Sequence, residues 1–186
     1  MWPGNATVMN VERMRHSAYR PQYSTETALL YTLNIYSSAD RSQPTLLLSL
    51  DLSAAFDTID HKILINRLSN SFGISGFVLG WLTSYLSNRS HLVRVGQAQS
   101  NLTNCTSGVP QGSVFGPILF SIYTSPIAQI AQDYNISLQQ YADDTLLYLG
   151  LSTSCLQTAT SRLERCLSSL HAWFCCNGMC LKPMKS

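Results

Sequence analysis

Four of the six residues from Thr45 to Leu50 are leucine, in a run that starts just after Pro44 and stops at Asp51. So short and nearly continuous an apolar run suits a strand buried on both faces better than a surface helix. Upstream, Leu29, Leu30, Leu33 and Tyr36 recur at helical spacing. Ser24 or Thr25 can cap their first turn, where Glu26 meets the positive end of the dipole, so a helix is predicted from about Thr25 to Ser37. Downstream, Ile63, Leu64 and Leu68 mark one helix. Phe77, Val78, Trp81, Leu82, Tyr85 and Leu86 mark a second with an apolar stripe, and Gly73 and Gly76 separate the two. His91 to Val95 and Gln99 to Thr106 read as short strands, Gly108 to Gly116 as a glycine-punctuated loop, and Ile118 to Ala131 as a helix. Two strands follow, Ile136 to Ala142 and Thr145 to Leu149, with Asp143 and Asp144 at the tight turn between them. A long helix from Cys155 to Cys176 is stopped by Asn177 and Gly178, before a strand-like Met179 to Leu181. This order of strands and helices is α+β, and no repeat, low-complexity tract or linker divides it.

Composition narrows the picture without naming an activity. A chain of 186 residues that is 45% hydrophobic can build a core. Only 12% of residues are charged and the net charge is +2, a weak footprint for a protein that holds nucleic acid by its phosphates. Met1 to Arg15 has no apolar core of signal-peptide length and carries Glu12, Arg13 and Arg15, which argues for an intracellular chain, in cytoplasm or nucleus, rather than a secreted one. The longest apolar stretch, Val114 to Tyr123, is broken by Gly116, Pro117 and Ser121, so no membrane span is expected. Without a secretion signal, the five Asn-x-Ser/Thr sequons at Asn5, Asn88, Asn101, Asn104 and Asn135 carry little weight. His171, Cys175, Cys176 and Cys180 lack paired C-x-x-C spacing and fall in an amphipathic helical pattern, so reduced, partly buried thiols are expected rather than a zinc site.

The chemistry lies in acidic residues. An aspartate at the end of a buried strand, Asp51, and an Asp-Asp pair on a hairpin tip, Asp143 and Asp144, converge if their strands neighbour one another in one antiparallel sheet. Clustered carboxylates repel one another unless cations neutralise them, and hard oxygen donors suit magnesium. In a paired site such ions activate a hydroxyl and shield a leaving phosphate oxygen, so phosphoryl or nucleotidyl transfer is the natural use. Singly, an aspartate at a strand end or an Asp-Asp turn is an ordinary solvated feature. An aspartic protease is excluded, because Asp57-Thr58 precedes Ile59 and Asp144-Thr145 precedes Leu146, where such a site requires Gly.

Three strings together, Ser49 to Asp60 (SLDLSAAFDTID), Ser107 to Pro117 (SGVPQGSVFGP) and Gln140 to Tyr148 (QYADDTLLY), resemble the central motifs of reverse transcriptases, in the same order. Ser17 to Leu30, Trp81 to Gly96 and Leu170 to Ser186 strengthen the resemblance to non-LTR retrotransposons of the jockey-like and related vertebrate groups. It covers nearly everything after about His16, leaving residues 1–15 unassigned and 16–186 as a partial reverse transcriptase domain. The resemblance implies a polymerase palm: an antiparallel sheet with a ferredoxin-like core packed on helices, with partial fingers and no thumb. It implies an RNA-directed DNA polymerase acting with an RNA template, a DNA primer, deoxyribonucleoside triphosphates and two Mg2+ ions, for which Mn2+ is a substitute.

Position by position, Asp51 and Asp143 resemble the aspartates that bind both ions, and Asp144 the third carboxylate. Leu52 lends a backbone carbonyl. Phe56 falls where the family keeps an aromatic beneath the incoming sugar to exclude a 2′-hydroxyl, and it also reads as a core aromatic. Gln111 resembles the residue that contacts nucleotide and template. Gly112 lets backbone approach them, although the same segment reads as an ordinary Gly/Pro turn. Tyr141 is expected beside the primer end. Lys185 matches a lysine that protonates departing pyrophosphate, but a solvated tail lysine is an equal reading, since Lys182 stands where the family usually has Asn. Gln22 and Tyr23 replace the usual Gly and His after Arg20-Pro21, and Phe115 replaces a common Leu. By comparison with the family the upstream basic fingers and the downstream thumb are absent, which implies weak nucleic-acid binding and poor polymerisation by these residues alone. The alternative to a polymerase domain is a catalytically inactive retroelement remnant that folds or binds RNA only.

Overall fold

The computed structural model describes residues 26, 30, 45–151 and 156–182. Glu26 and Leu30 are helical, and the rest of the helix expected around them lies outside the described residues. Three strands form the central antiparallel sheet in the order β1, β8, β7, where β1 is Thr45–Leu50, β7 Ser137–Tyr141 and β8 Asp144–Gly150. Two-residue strands β2 (Leu52–Ser53) and β9 (Cys180–Leu181) pair beside it. Among the described residues from Thr45 onward, five helices complete the frame: α1 (His61–Asn70), α2 (Gly76–Leu86), α3 (Gly116–Thr124), α4 (Pro126–Asp133) and α5 (Leu156–Cys176).

Register determines which leucines reach the core. Leu48 lies opposite Leu147, and Leu147 opposite Leu138, so one row of large side chains crosses the sheet into the main hydrophobic cluster. Helices α4 and α5 pack together behind it, and Cys166, Leu170 and Phe174 on α5 are fully buried. Among the described residues β1 lies at the edge of its sheet, and its leucines are mostly half-buried, not covered on both faces as its sequence predicted. Leucine on both faces hides the alternation that a one-sided strand normally shows.

Two other expectations change in detail. The single helix expected from Ile118 to Ala131 is two, α3 and α4, divided at Ser125. Pro126 brings no N–H and its ring crowds the preceding turn, while the Ser125 hydroxyl donates to the Ile122 carbonyl at 2.8 Å. The apolar stripe of α2 is only half used, since Leu82 and Leu86 are buried while Phe77, Val78 and Trp81 are exposed. The strands expected between His91 and Thr106 form two short ladders, β3 (Arg89–His91) with β6 (Thr103–Cys105) and β4 (Arg94–Val95) with β5 (Ala98–Gln99). Cys105, Cys166, Cys175, Cys176 and Cys180 are free thiols. Among the described residues no helix is long and apolar enough to cross a membrane.

A polar knot ties α1 and α3 to the end of α5. Tyr123 is fully buried; its hydroxyl donates to the Asn177 carbonyl at 2.7 Å and accepts from the Asp60 N–H at 3.3 Å. Arg67 donates to the Tyr123 carbonyl and to Asn177 Oδ1, and its guanidinium lies over the Tyr123 and Trp173 rings. Burial lowers the Arg67 pKa and raises that of Tyr123. Asp60 also caps α1, accepting from the Ile63 N–H at 2.9 Å.

Candidate functional site

The sheet's register assembles the acidic cluster. In the β1–β8 ladder Leu50 pairs with Thr145, so the next step along β1 sets Asp51 opposite Asp144. In the β7–β8 ladder Asp144 pairs with Tyr141. The hairpin turn is therefore Ala142 and Asp143 alone, and Asp144 begins β8 rather than sharing the turn as its sequence suggested. The turn is this tight because Ala142 adopts a left-handed φ of 52°, a conformation that two-residue hairpin turns require and that favours glycine.

On its other side Asp51 meets Lys182. The β2–β9 register pairs Leu52 with Leu181, and one step further the Lys182 N–H donates to the Asp51 carbonyl at 2.9 Å. The Lys182 ammonium then donates to both Asp51 carboxylate oxygens, at 2.9 and 2.8 Å. Asp51 thus stands where two ladders meet, one step past the Leu50–Thr145 pair on one side and bonded to Lys182 on the other.

The acidic groups and Lys182 also influence one another electrostatically. Partial burial pushes the Asp144 carboxyl up, the negative charges of Asp143 and Asp51 push it further, and Lys182 opposes them. The Lys182 ammonium is held above its ordinary value by the Asp51 hydrogen bond, against some desolvation, and by the charges of Asp51, Asp143 and Asp144. The donor set is chemically suited to a hard divalent cation. Yet among the described residues no three His, Cys, Asp or Glu side chains are disposed to hold a metal ion, and the Asp51 carboxylate faces Lys182.

Beside the cluster lies an open cleft of about 500 Å³ whose walls include Leu52, Phe56, Gln111, Gly112, Asp143 and Lys182. Phe56 forms its floor; the half-buried ring stacks on Phe120 with centroids 4.8 Å apart, so it is both a core and a cleft residue. The loop carrying Gln111 is bonded to the segment carrying Phe56. Gly108 N–H donates to Ile59 O at 2.8 Å, Val109 N–H to Phe56 O at 2.9 Å, and His61 Nε2 lies 2.7 Å from Gly108 O. Gly108 has φ +84°, and a Cβ there would stand 3.0 Å from the Asp57 Cα and carbonyl oxygen. Gly112 has φ +77° with open space around it.

A second cleft of about 640 Å³, lined by Arg89, His91, Cys105 and Asp57, shares Pro110 and Gln111 with the first. Gln111 thus stands on the wall between them, its amide donating weakly to the Asp57 carboxylate at 3.3 and 3.4 Å.

Of the residues singled out from sequence, Asp51, Asp143 and Asp144 lie within electrostatic reach of one another without forming a group disposed to hold a metal, and Tyr141 is paired with Asp144. Leu52, Phe56, Gln111 and Gly112 line the adjoining cleft. Lys185 lies outside the described residues. Sequence reasoning missed the Lys182 ion pair, the tie of Gln111 to Asp57 and the close fit of Gly108. Lys182 carried a signal as a departure from the motif, but its partner depends on a two-residue ladder that no pattern announces.

A family model described as "Reverse transcriptase (RNA-dependent DNA polymerase)" matches residues 5–186. The chain is similar to the "Probable RNA-directed DNA polymerase from transposon BS" of Drosophila melanogaster, 33% identical over 162 residues, covering 83% of this chain and 17% of that protein. It is also similar to the "RNA-directed DNA polymerase from mobile element jockey" of the same organism, 32% identical over 130 residues, or 67% of this chain and 14% of the relative. The chain therefore spans about a sixth of the length of these relatives. Among solved structures, telomerase from Candida albicans with a fragment of telomeric RNA superposes with a TM-score of 0.61 over 97% of this chain and 34% of that one, at 13% identity. Apo telomerase from Candida tropicalis gives the same score over 96% of this chain and 40% of that one. That likeness shows a shared fold of mixed helix and antiparallel sheet.

Proposed function

Because the chain belongs to the reverse transcriptase (RNA-dependent DNA polymerase) family, we propose that it forms the catalytic palm of an RNA-directed DNA polymerase of a non-LTR retrotransposon. The observation that supports the reading is the β1–β8 register, whose last pair is Leu50 with Thr145, so that Asp51 and Asp144 follow at the same end of the ladder, with Asp143 in the adjoining turn. In this reading the central sheet and its helices are the palm, with a ferredoxin-like core.

The reaction is nucleotidyl transfer: a primer 3′-hydroxyl attacks the α-phosphate of a deoxyribonucleoside triphosphate and pyrophosphate leaves. Asp51, Asp143 and Asp144 are the residues that would hold two divalent ions, Mg2+ or Mn2+. When bound, such ions neutralise the attacking oxygen and the leaving phosphate. The rest of the work is positioning by the chain itself. Phe56, braced by Phe120, gives the cleft a flat apolar floor against which a sugar rests and a 2′-hydroxyl is crowded. Gln111 stands between the two clefts, where an amide can bond the base of a nucleotide or the template opposite it. Gly112 leaves the cleft wall open to close backbone approach. Leu52 presents backbone beside Asp51, and Tyr141, paired directly with Asp144, would lie by the primer end. Lys185 is proposed as a proton donor to pyrophosphate on the motif match alone.

The test is extension of a DNA primer on an RNA template in Mg2+ by a polymerase in which these residues replace the matching segment of a longer relative. Incorporation is expected, with a loss of roughly 10²-fold or more in Asp51→Asn and in Asp143→Asn. Incorporation undiminished in both variants would sink the reading. The second reading, an inactive remnant that binds RNA only, is favoured by the cation already paired with Asp51, and it predicts no incorporation by the unaltered sequence.

A further inference from the structure

We propose that Lys182 is a tethered cation holding the place of a divalent ion on Asp51, so that it sets the divalent-ion concentration the acidic centre requires. The inference rests on the reading of Asp51, Asp143 and Asp144 as metal ligands.

The argument is one of geometry and charge. Both carboxylate oxygens of Asp51 accept from the one ammonium, at 2.9 and 2.8 Å, so the group presented to a metal is already engaged. The pairing is built into the backbone. Lys182 N–H is bonded to Asp51 O at the end of the β2–β9 ladder, which fixes the two residues directly across from each other. Side chains of directly opposed residues project on the same face of a ladder. The ammonium also feels Asp143 and Asp144, so one positive charge serves three negative ones.

A lysine is suited to holding the place temporarily. Its four-carbon stem can swing aside without moving the strand, and both partners are about half exposed, 49% and 52%. The ion pair therefore dissociates at small cost. An uncharged side chain here holds no charge with which to compete.

The test is a titration of the full 186-residue chain with Mn2+ alone, following free Mn2+ by electron paramagnetic resonance, so no catalysis is needed. In Lys182→Met and in Lys182→Asn the binding midpoint is expected to fall by about three- to tenfold, reflecting loss of a half-exposed ion pair and of like-charge repulsion. Lys182→Arg is expected to stay at or above the wild-type midpoint. Circular dichroism confirms that each variant is folded, and the backbone bond to Asp51 needs no particular side chain. Equal midpoints in wild type, Lys182→Met and Lys182→Asn, with binding abolished by Asp143→Asn, would overturn this proposal while leaving the metal centre standing. Absence of bound Mn2+ in wild type and every variant would overturn both.

Discussion

Alanine at Gly108 and alanine at Gly112 separate two costs that sequence alone cannot tell apart. Both glycines have a positive φ, +84° and +77°, so either substitution forces an L side chain into a left-handed conformation at about 1–2 kcal/mol. At Gly112 that is the whole cost, because a new Cβ meets nothing within 4 Å. At Gly108 the Cβ would stand 3.0 Å from Asp57 Cα and from Asp57 O, both backbone atoms that no rotamer change can move. Overpacking of this kind adds about 1–3 kcal/mol, giving a total of about 2–5 kcal/mol for Gly108→Ala. Relief requires the Gln111 loop to separate from the Phe56 segment, breaking the Gly108 to Ile59 and Val109 to Phe56 hydrogen bonds. Urea unfolding of both variants measures the difference. Amide hydrogen exchange at Gly108 and Val109 reports whether the loop has come away. Equal destabilisation by the two alanines, or unchanged protection at Val109 in Gly108→Ala, would refute the claim that this loop is seated on Asp57.

Three more expectations follow from the geometry. Folding raises the Asp144 carboxyl, so the folded chain holds that proton more tightly than the unfolded one. The resulting penalty is absent below the ordinary aspartate range and complete above the raised folded value. In metal-free buffer Asp144→Asn should therefore be more stable at pH 7, by less than about 1 kcal/mol because the group is largely exposed. The gain should vanish as pH falls through the carboxylate range, and thermal melts across pH that show no gain at pH 7 would contradict this. Tyr123→Phe strands the Asn177 carbonyl and the Asp60 N–H in a buried setting, with an expected loss of about 1–3 kcal/mol by denaturant titration; an unchanged midpoint would show that neither bond matters. Phe56→Val removes the ring stacked on Phe120 and should cost about 1–3 kcal/mol while raising ribonucleotide incorporation relative to deoxyribonucleotide. Unchanged sugar selectivity in primer extension would remove Phe56 from the gate role.

Strand and helix positions were largely legible in the sequence because they rest on local signals. An apolar run marked β1, the Asp143-Asp144 turn marked the hairpin of β7 and β8, helical spacing marked α1, α2 and α5, and Asn177-Gly178 marked the stop after α5. Three motifs were enough to single out Asp51, Asp143 and Asp144. What the local pattern could not carry was partnership. Leucine on both faces of β1 concealed that, among the described residues, it lies at the edge of its sheet, and Ala142 gave no sign that the turn would close one residue before Asp144. Pro126, readable as a helix breaker, divided a helix that its periodicity had joined. The residues of the site were thus determined by the sequence itself, through their chemistry and order. Only tertiary structure decided that Asp51 is flanked by Asp144 and Lys182, because that depends on the registers of two ladders whose paired residues are 95 positions apart at Leu50 and Thr145 and 129 apart at Leu52 and Leu181, far beyond the reach of any local pattern.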